Sequence, residues 1–275
     1  AAGSAVIALM MAGLTVFAFL SQAEAERRQA DADNLVSFLM DDLQDDLSAI
    51  GRLDLFDSVA AKSMEYFESL EGDDARDEVL AQRAEALRLI GQAMIDRSDM
   101  EGAKKAFDES LSINLRLVEQ NPERLDWNVA LAESHFKVGK VHWLRGDLDA
   151  AAAEFKNQLT VMDALAAAQT DDLSRLENSA YAWTNYGRVL ELAGDYEEGL
   201  HAYQTVMDMF QRLSELSPEN EDVRLEVGFA HNNLGKLKTE LGLLNAAEAH
   251  YRSDLQIKKE VSETDRSNNM YRGYL

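Results

Sequence analysis

Cysteine is absent from this 275-residue sequence, and basic residues are few, with 27 Lys and Arg against 50 Asp and Glu. Without cysteine the chain has no disulfide bond, no thiolate metal ligand and no thiol nucleophile, and it is compatible with either side of a membrane. The net charge of −23 repels nucleic acid and anionic lipid surfaces. Nucleic-acid binding is therefore disfavoured.

What the sequence does have is a repeat. Four similar segments each begin 48 residues after the last: IGQAMIDRSDMEGAKKAFD from residue 90, VGKVHWLRGDLDAAAAEFK from 138, YGRVLELAGDYEEGLHAYQ from 186 and LGKLKTELGLLNAAEAHYR from 234. The positions that recur are Gly91, Gly139, Gly187 and Gly235, then Ala103, Ala151, Gly199 and Ala247, then Phe107, Phe155, Tyr203 and Tyr251. A fixed period of this length indicates stacked supersecondary units. The small residues predict helical hairpins, because two helix axes approach closely only where side chains are small.

Turn residues mark where the predicted helices end. Three glycines follow apolar runs of helical spacing and suit the left-handed residue that ends a helix: Gly146, Gly194 and Gly242. Ser98 occupies this place in the first copy and fits less well. The only two prolines, Pro122 and Pro218, occupy equivalent places where the second helix of a unit is expected to stop.

This pattern resembles the tetratricopeptide repeat (TPR). In the third copy the signature positions of that family fall on Trp183, Tyr186, Gly187, Leu190, Gly194, Gly199, Tyr203 and Pro218. Two features depart from the family: the usual period is about 34 residues, and Gly199 replaces the expected alanine. The additional residues predict that both helices are longer by about two turns, as in relatives of the kinesin light chain type. The resemblance implies an all-α fold, a right-handed α-solenoid of TPR-like hairpins, and the charge-free N-terminus predicts a transmembrane helix ahead of it.

The repeats are expected to fill residues 73–262. Their predicted bounds are about 76–121, 122–169, 170–217 and 218–262, and residues 263–275 read as the start of a fifth unit. A solenoid needs a capping face at its end. We therefore expect the chain to be a fragment at its C-terminus.

Residues 1–20 contain no charge and are long enough to span the hydrocarbon core of a bilayer as a helix. We predict a transmembrane helix, with a cleaved secretory signal and a buried core helix as alternatives. Ser4, Ala8 and Ala12 share one face, so dimerisation through this stripe is a further option. Residues 21–72 are expected to form a helical hairpin that caps the first repeat, or a coiled-coil stalk if the protein is a dimer.

The order of these segments resembles the C-terminal half of bacterial multidomain membrane signalling receptors. The resemblance implies a single pass through the inner membrane, periplasmic repeats, and an effector domain upstream of this chain, such as a kinase, cyclase, TIR domain or protease. Arg27 and Arg28 alone argue for the opposite orientation, because positive residues favour the cytoplasmic side.

The first helix of each repeat is expected to face the concave surface, where solenoids usually hold extended peptides. The candidate peptide-binding residues there are Lys137, Lys140, Asn185, Arg188, Asn232, Asn233 and Lys236. A row of bases suits a carboxylate-rich segment or a chain terminus. The alternative is that these bases pair with neighbouring acids and that the asparagines bond between adjacent helices.

Chemistry-bearing patterns are missing from the sequence. It contains no positioned nucleophile and base, no phosphate-cradling glycine loop and no isolated carboxylate pair. His135 and His142 lie seven residues apart, whereas metal pairs on a helix are normally three or four residues apart. We therefore predict no catalytic residue, no cofactor and no metal for this chain. The predicted function is a membrane-anchored protein-interaction domain for sensing or scaffolding; the alternatives are a structural assembly subunit, and part of an enzyme whose effector lies upstream.

Overall fold

The computed structural model describes residues 77–169 and 171–264, and within these ranges it contains eight α-helices and no strand. The helices are α1 Asp77–Asp96, α2 Met100–Gln120, α3 Leu125–Arg145, α4 Leu148–Ala168, α5 Leu173–Ala193, α6 Tyr196–Leu216, α7 Glu221–Glu240 and α8 Leu244–Thr264. Each has 20 or 21 residues and is therefore about 30 Å long. The fold is all-helical in the described residues, and its helices are long, as the period predicts.

The described residues belong to two compact units, which are divided between Ile113 and Asn114. In the first unit, α1 packs against the N-terminal part of α2. A β-carbon added at Gly91 would lie 2.5 Å from the ring of Phe107, so only glycine permits this approach. Arg83 of α1 and Glu109 of α2 form an ion pair beside the crossing.

The second unit contains three hairpins, α3/α4, α5/α6 and α7/α8. The second helix of a hairpin also packs on the first helix of the next hairpin. Phe155 of α4 lies in one hydrophobic cluster with Tyr186 of α5, and Tyr203 of α6 lies in another with Leu234 of α7. Phe155 and Tyr203 are each 1% exposed. The recurring aromatic ring therefore joins successive hairpins as well as the two helices of one hairpin.

Small residues lie where the helices cross, for a steric reason. A β-carbon at Gly139 would lie 2.9 Å from the Phe155 ring, and one at Gly187 would lie 2.8 Å from the Tyr203 ring. Gly199, which replaces the family's alanine, lies against Leu237 of the next hairpin. A β-carbon there would be 3.0 Å from Cδ1 of Leu237.

The turns between paired helices share one backbone conformation. The three glycines predicted to end first helices have positive φ: Gly146 (84°), Gly194 (84°) and Gly242 (72°). Ser98 has the same left-handed conformation with φ 65°, which is uncommon for a residue with a side chain. The expected equivalence of the four turns is therefore confirmed, and the poorer fit of Ser98 appears as backbone strain at that turn.

Between hairpins, short loops end one helix and begin the next. Both α2 and α6 stop two residues before a proline, at Gln120 and Leu216. Asn220 Oδ1 then accepts a hydrogen bond from the backbone nitrogen of Asp222 at 3.1 Å and starts α7. The last helix, α8, continues to Thr264, two residues past the predicted bound of the fourth repeat.

Several predictions concern residues outside the described ranges. They are the transmembrane helix over 1–20, the cap over 21–72 and nearly all of the fifth-unit start at 263–275. None of the helices that the structure describes is long and apolar enough to cross a membrane.

Candidate functional site

The predicted binding residues lie on one side of three first helices in the second unit. The first-helix face, as we call this surface, consists of Lys137, Lys140 and Leu144 on α3, Asn185, Arg188 and Leu192 on α5, and Asn233 and Lys236 on α7. Within each helix these positions are three or four residues apart and so share one side. Leu144 and Leu192 are 52% and 53% exposed. The bases therefore lie beside exposed leucines, which the sequence analysis did not single out.

A cleft of about 380 Å³ opens on this face between α5 and α7. Its lining residues are Thr184, Arg188, Val206, Glu226, Phe229, Ala230, Asn232, Asn233 and Lys236. Four of the seven predicted residues are thus brought together. Asn185 lies on the same face but does not line this cleft, and Lys137 and Lys140 belong to α3.

The bases differ in what they contact. Lys236 lies 3.6 Å from a carboxylate oxygen of Glu191, and its side chain is 55% exposed, so the pair is weak. The Arg188 guanidinium lies 5.9 Å from the ring centroid of Trp143, a cation–π distance. Arg188 and Lys140 have no carboxylate partner among the described residues. Of Lys140, Arg188 and Lys236, only Lys236 therefore forms an ion pair with a neighbouring acid, as the alternative interpretation of this face predicts.

Lys137, the remaining predicted base, lies over an aromatic ring of its own helix. Its ammonium is 5.9 Å from the ring centroid of Phe136. The side chain is half-buried, so part of its apolar stem covers the helix surface.

The asparagines also divide into two kinds. Asn232 donates to Asp254 Oδ2 at 3.3 Å and so joins α7 to α8 within one hairpin. Asn185 and Asn233 occupy equivalent positions, are half-buried, and make no hydrogen bond among residues 77–169 and 171–264. The described residues therefore leave the donors and acceptors of these two amides unsatisfied.

The lining of the cleft also contains an acid, Glu226, and an aromatic ring, Phe229. The Tyr181 hydroxyl donates to Glu226 at 3.2 Å and lies 3.4 Å from Glu177. Burial, followed by repulsion from Glu177 and Asp222, holds the pKa of Glu226 above its usual value. Burial likewise raises the pKa of Tyr181, so its hydroxyl remains a donor.

The sequence analysis missed Phe229 of the cleft and the nearby Tyr181, although the repeat contains a signal for both. Tyr181 and Phe229 are aromatic residues at equivalent positions of α5 and α7. They lie four residues before Asn185 and Asn233, and hence one turn along the same face.

Histidines pair inside two of the hairpins. His135 Nδ1 lies 2.7 Å from Glu154. At the equivalent positions of the last hairpin, His231 Nδ1 lies 2.9 Å from His250 Nδ1, and Lys238 donates to His250 Nε2 at 2.7 Å. In the part of the chain that the structure describes, no three His, Asp or Glu side chains are placed to hold a metal ion.

Comparison with known proteins identifies the fold. No family model matches the sequence, and no curated protein matches it significantly. The structure is similar to BtubC from P. vanneervenii, with a TM-score of 0.64 and 15% identity over 87% of both chains. It is also similar to a candidate kinesin light chain from Podosopora anserina with nearly identical TPR-like repeats, with a TM-score of 0.61 and 12% identity over 84% of this chain and 99% of that one. Neither name describes an enzyme. At these identities the likeness shows the fold alone, and the chain is a TPR-like helical repeat protein.

Proposed function

We propose that the repeats are a protein-interaction module that binds an acidic segment of a partner on the first-helix face. The observation that carries this proposal concerns four groups on that face: among the described residues, the cations of Lys140 and Arg188 have no carboxylate partner, and the amides of Asn185 and Asn233 make no hydrogen bond. Cations form strong charge-assisted hydrogen bonds with carboxylates. An asparagine amide both donates and accepts, so it suits the peptide groups of an extended ligand.

The cleft between α5 and α7 supports this proposal by placing different chemistry on its two sides. Arg188 and Lys236 supply positive charge at one end, and Glu226, which accepts a hydrogen bond from Tyr181, lies toward the other. An acidic ligand is attracted to the first end and repelled from the second. The two ends therefore favour one position of the ligand over others.

The wider context of the module is also a proposal. The charge-free length of residues 1–20 supports a membrane anchor, and the order of segments supports the sensing or scaffolding part of a bacterial signalling receptor with periplasmic repeats. The alternatives remain a structural subunit of a membrane complex, or part of an enzyme with its effector upstream. A cysteine introduced at exposed Arg252 reports the orientation, because a membrane-impermeant maleimide labels it in cells with a permeabilised outer membrane only if the repeats are periplasmic.

Binding is tested by selecting random 12-residue peptides on the full chain in detergent and measuring the selected peptides by fluorescence anisotropy. We expect selected peptides to be net negative. The triple variant Lys140→Glu, Arg188→Glu, Lys236→Glu is expected to weaken their binding at least tenfold, because it replaces attraction by repulsion along the whole row of bases.

A matched control carries the same change of net charge elsewhere. Lys105→Glu, Arg212→Glu and Lys259→Glu alter three exposed bases on second helices, away from the first-helix face. This control is expected to retain binding within about threefold. Selected peptides without acidic residues, or equal losses in the two triple variants, would contradict the proposed site.

A further inference from the structure

The bases of the first-helix face differ in the acids that surround them. The cleft between α5 and α7 contains carboxylates of its own beside Arg188 and Lys236. Glu226 lines the cleft, and a carboxylate oxygen of Glu191 lies 3.6 Å from the Lys236 ammonium. A ligand carboxylate in this cleft therefore competes with Glu191 for a cation and is repelled by both acids.

One repeat earlier, the equivalent positions lack both acids. The bounds of α3 and α5 agree with those of α5 and α7 within one residue after a shift of 48, so the cleft has an equivalent between α3 and α5. Glu191 corresponds to Trp143, and Glu226 corresponds to Asn178. We call this equivalent the α3–α5 channel and define it by Lys140, Trp143, Asn178, Asn185 and Arg188.

Arg188 contacts a ring in this channel where its equivalent contacts an acid. The Arg188 guanidinium lies 5.9 Å from the ring centroid of Trp143 on α3. Lys236, the equivalent of Arg188 on α7, instead lies beside Glu191. A cation–π contact does not neutralise the positive charge. Arg188 therefore keeps its charge for a ligand.

The second cation of the channel is Lys140. It is half-buried and has no carboxylate partner among the described residues. Glu133, an exposed acid on the same side of α3, lies seven residues before it and hence about 10 Å away along the helix. The channel thus combines two cations with neutral residues at both positions where the cleft has acids.

We propose that a carboxylate of the ligand binds in the α3–α5 channel, between Lys140 and Arg188, in preference to the cleft between α5 and α7. This inference rests on the function proposed above and adds where the negative charge of the ligand lies. Two cations form charge-assisted hydrogen bonds with one carboxylate. The neutral Trp143 and Asn178 do not oppose that contact, whereas the acids of the cleft do.

The first test couples a bound ligand to the lysine that it contacts. The probe is the tightest acidic peptide among the 12-residue peptides selected on the full chain. A water-soluble carbodiimide joins its carboxylate to a neighbouring lysine amine without a spacer. Mass spectrometry of the digested product is expected to find the peptide on Lys140 several times more often than on Lys236. Equal yields, or a preference for Lys236, would overturn this proposal.

The second test compares charge variants of the full chain by fluorescence anisotropy with the same peptide. Lys140→Glu is expected to weaken binding at least about five times more than Lys236→Glu, because Lys236 already has an acidic partner. Asn178→Glu places the acid of the cleft in the channel and is expected to weaken binding at least about threefold. Its matched control is Gln211→Glu, which adds the same charge at an exposed position of α6. This control is expected to change binding less than about twofold.

The outcomes separate this proposal from the one on which it rests. Equal losses in the two lysine variants, or in Asn178→Glu and Gln211→Glu, would overturn the position of the carboxylate and leave the peptide-binding face intact. No loss in either lysine variant, or a selection without acidic peptides, would overturn both proposals.

Discussion

An ion pair inside the last hairpin allows a quantitative test of how this fold tolerates buried charge. Asp254 and Lys258 of α8 approach to 2.8 Å, with side chains 9% and 12% exposed. Asn232 also donates to Asp254, and the Lys258 ammonium lies 5.0 Å from the ring centroid of Phe229. One repeat earlier, the equivalent residues of Asp254 and Lys258 are apolar. The repeat itself therefore supplies the substitutions.

The perturbation is Asp254→Val, Lys258→Phe and their combination, which copies Val206 and Phe210 of α6. At 2.8 Å the attraction is about 6 kcal/mol for an effective dielectric constant of about 20. Removing two charges from water costs several kcal/mol for each, so the net contribution of the pair is near zero. Either single substitution leaves one buried charge and is expected to lower the free energy of unfolding by about 3–5 kcal/mol.

The double variant is expected to lie within about 2 kcal/mol of the unmodified chain, of which about 1 kcal/mol is the hydrogen bond that Asn232 loses. Urea unfolding followed by circular dichroism measures the change. Hydrogen exchange of α7 and α8 shows whether it is local, since repeat arrays can unfold in steps. A loss below about 1 kcal/mol in Asp254→Val, or a double variant as unstable as the two single losses together, would refute the reasoning.

Two further predictions concern the crossings and the histidine pair. Gly187→Ala places a methyl 2.8 Å from the Tyr203 ring and is expected to lower the free energy of unfolding by about 1–3 kcal/mol. The methyl of Gly146→Ala meets nothing within 4 Å, but the backbone there has a φ of 84°. This variant is expected to lower the free energy of unfolding by about 1–2 kcal/mol. Thermal unfolding measures both, and an unchanged Tm for Gly187→Ala would contradict the close crossing. Burial lowers the pKa of both His231 and His250. Below about pH 6.5 these histidines therefore bind more protons in the unfolded chain than in the folded one. The stability that is present above that pH is lost as the pH falls toward the pKa values of the folded chain. Urea midpoints at pH 7 and 5.5 are expected to differ less in His231→Gln than in the unmodified chain, and an equal difference would show that the pair does not titrate in this way.

Much of the fold was predictable because backbone geometry dictates it. Helices that cross closely require glycine at positions 139 and 187. A left-handed turn favours glycine at positions 146 and 194. The roles of these glycines could therefore be predicted from the sequence. Gly199 was read only as a departure from the family. In the structure Leu237 of the next hairpin lies against it, and no local pattern reveals such a neighbour.

The candidate site was less predictable, because side-chain pairing depends on contacts between elements. The sequence placed the bases and asparagines on one face, but it did not distinguish Asn232, which bonds within its hairpin, from Asn233 beside it, which does not. It also gave no sign that Tyr181 and Glu226, on different helices, form a hydrogen bond. Whether the first-helix face binds a peptide stays a prediction.

The length of the first helices has a consequence for any ligand that runs parallel to them. On the proposed site, we expect an extended ligand parallel to α5 and α7 to span at most about nine residues, because each helix is about 30 Å long. The segment from Tyr181 to Arg188, which contains the aromatic, amide and basic groups of α5, covers only about 10 Å of that length. We therefore expect the polar groups to contact about three residues of such a ligand, and shape and apolar contact to select the others.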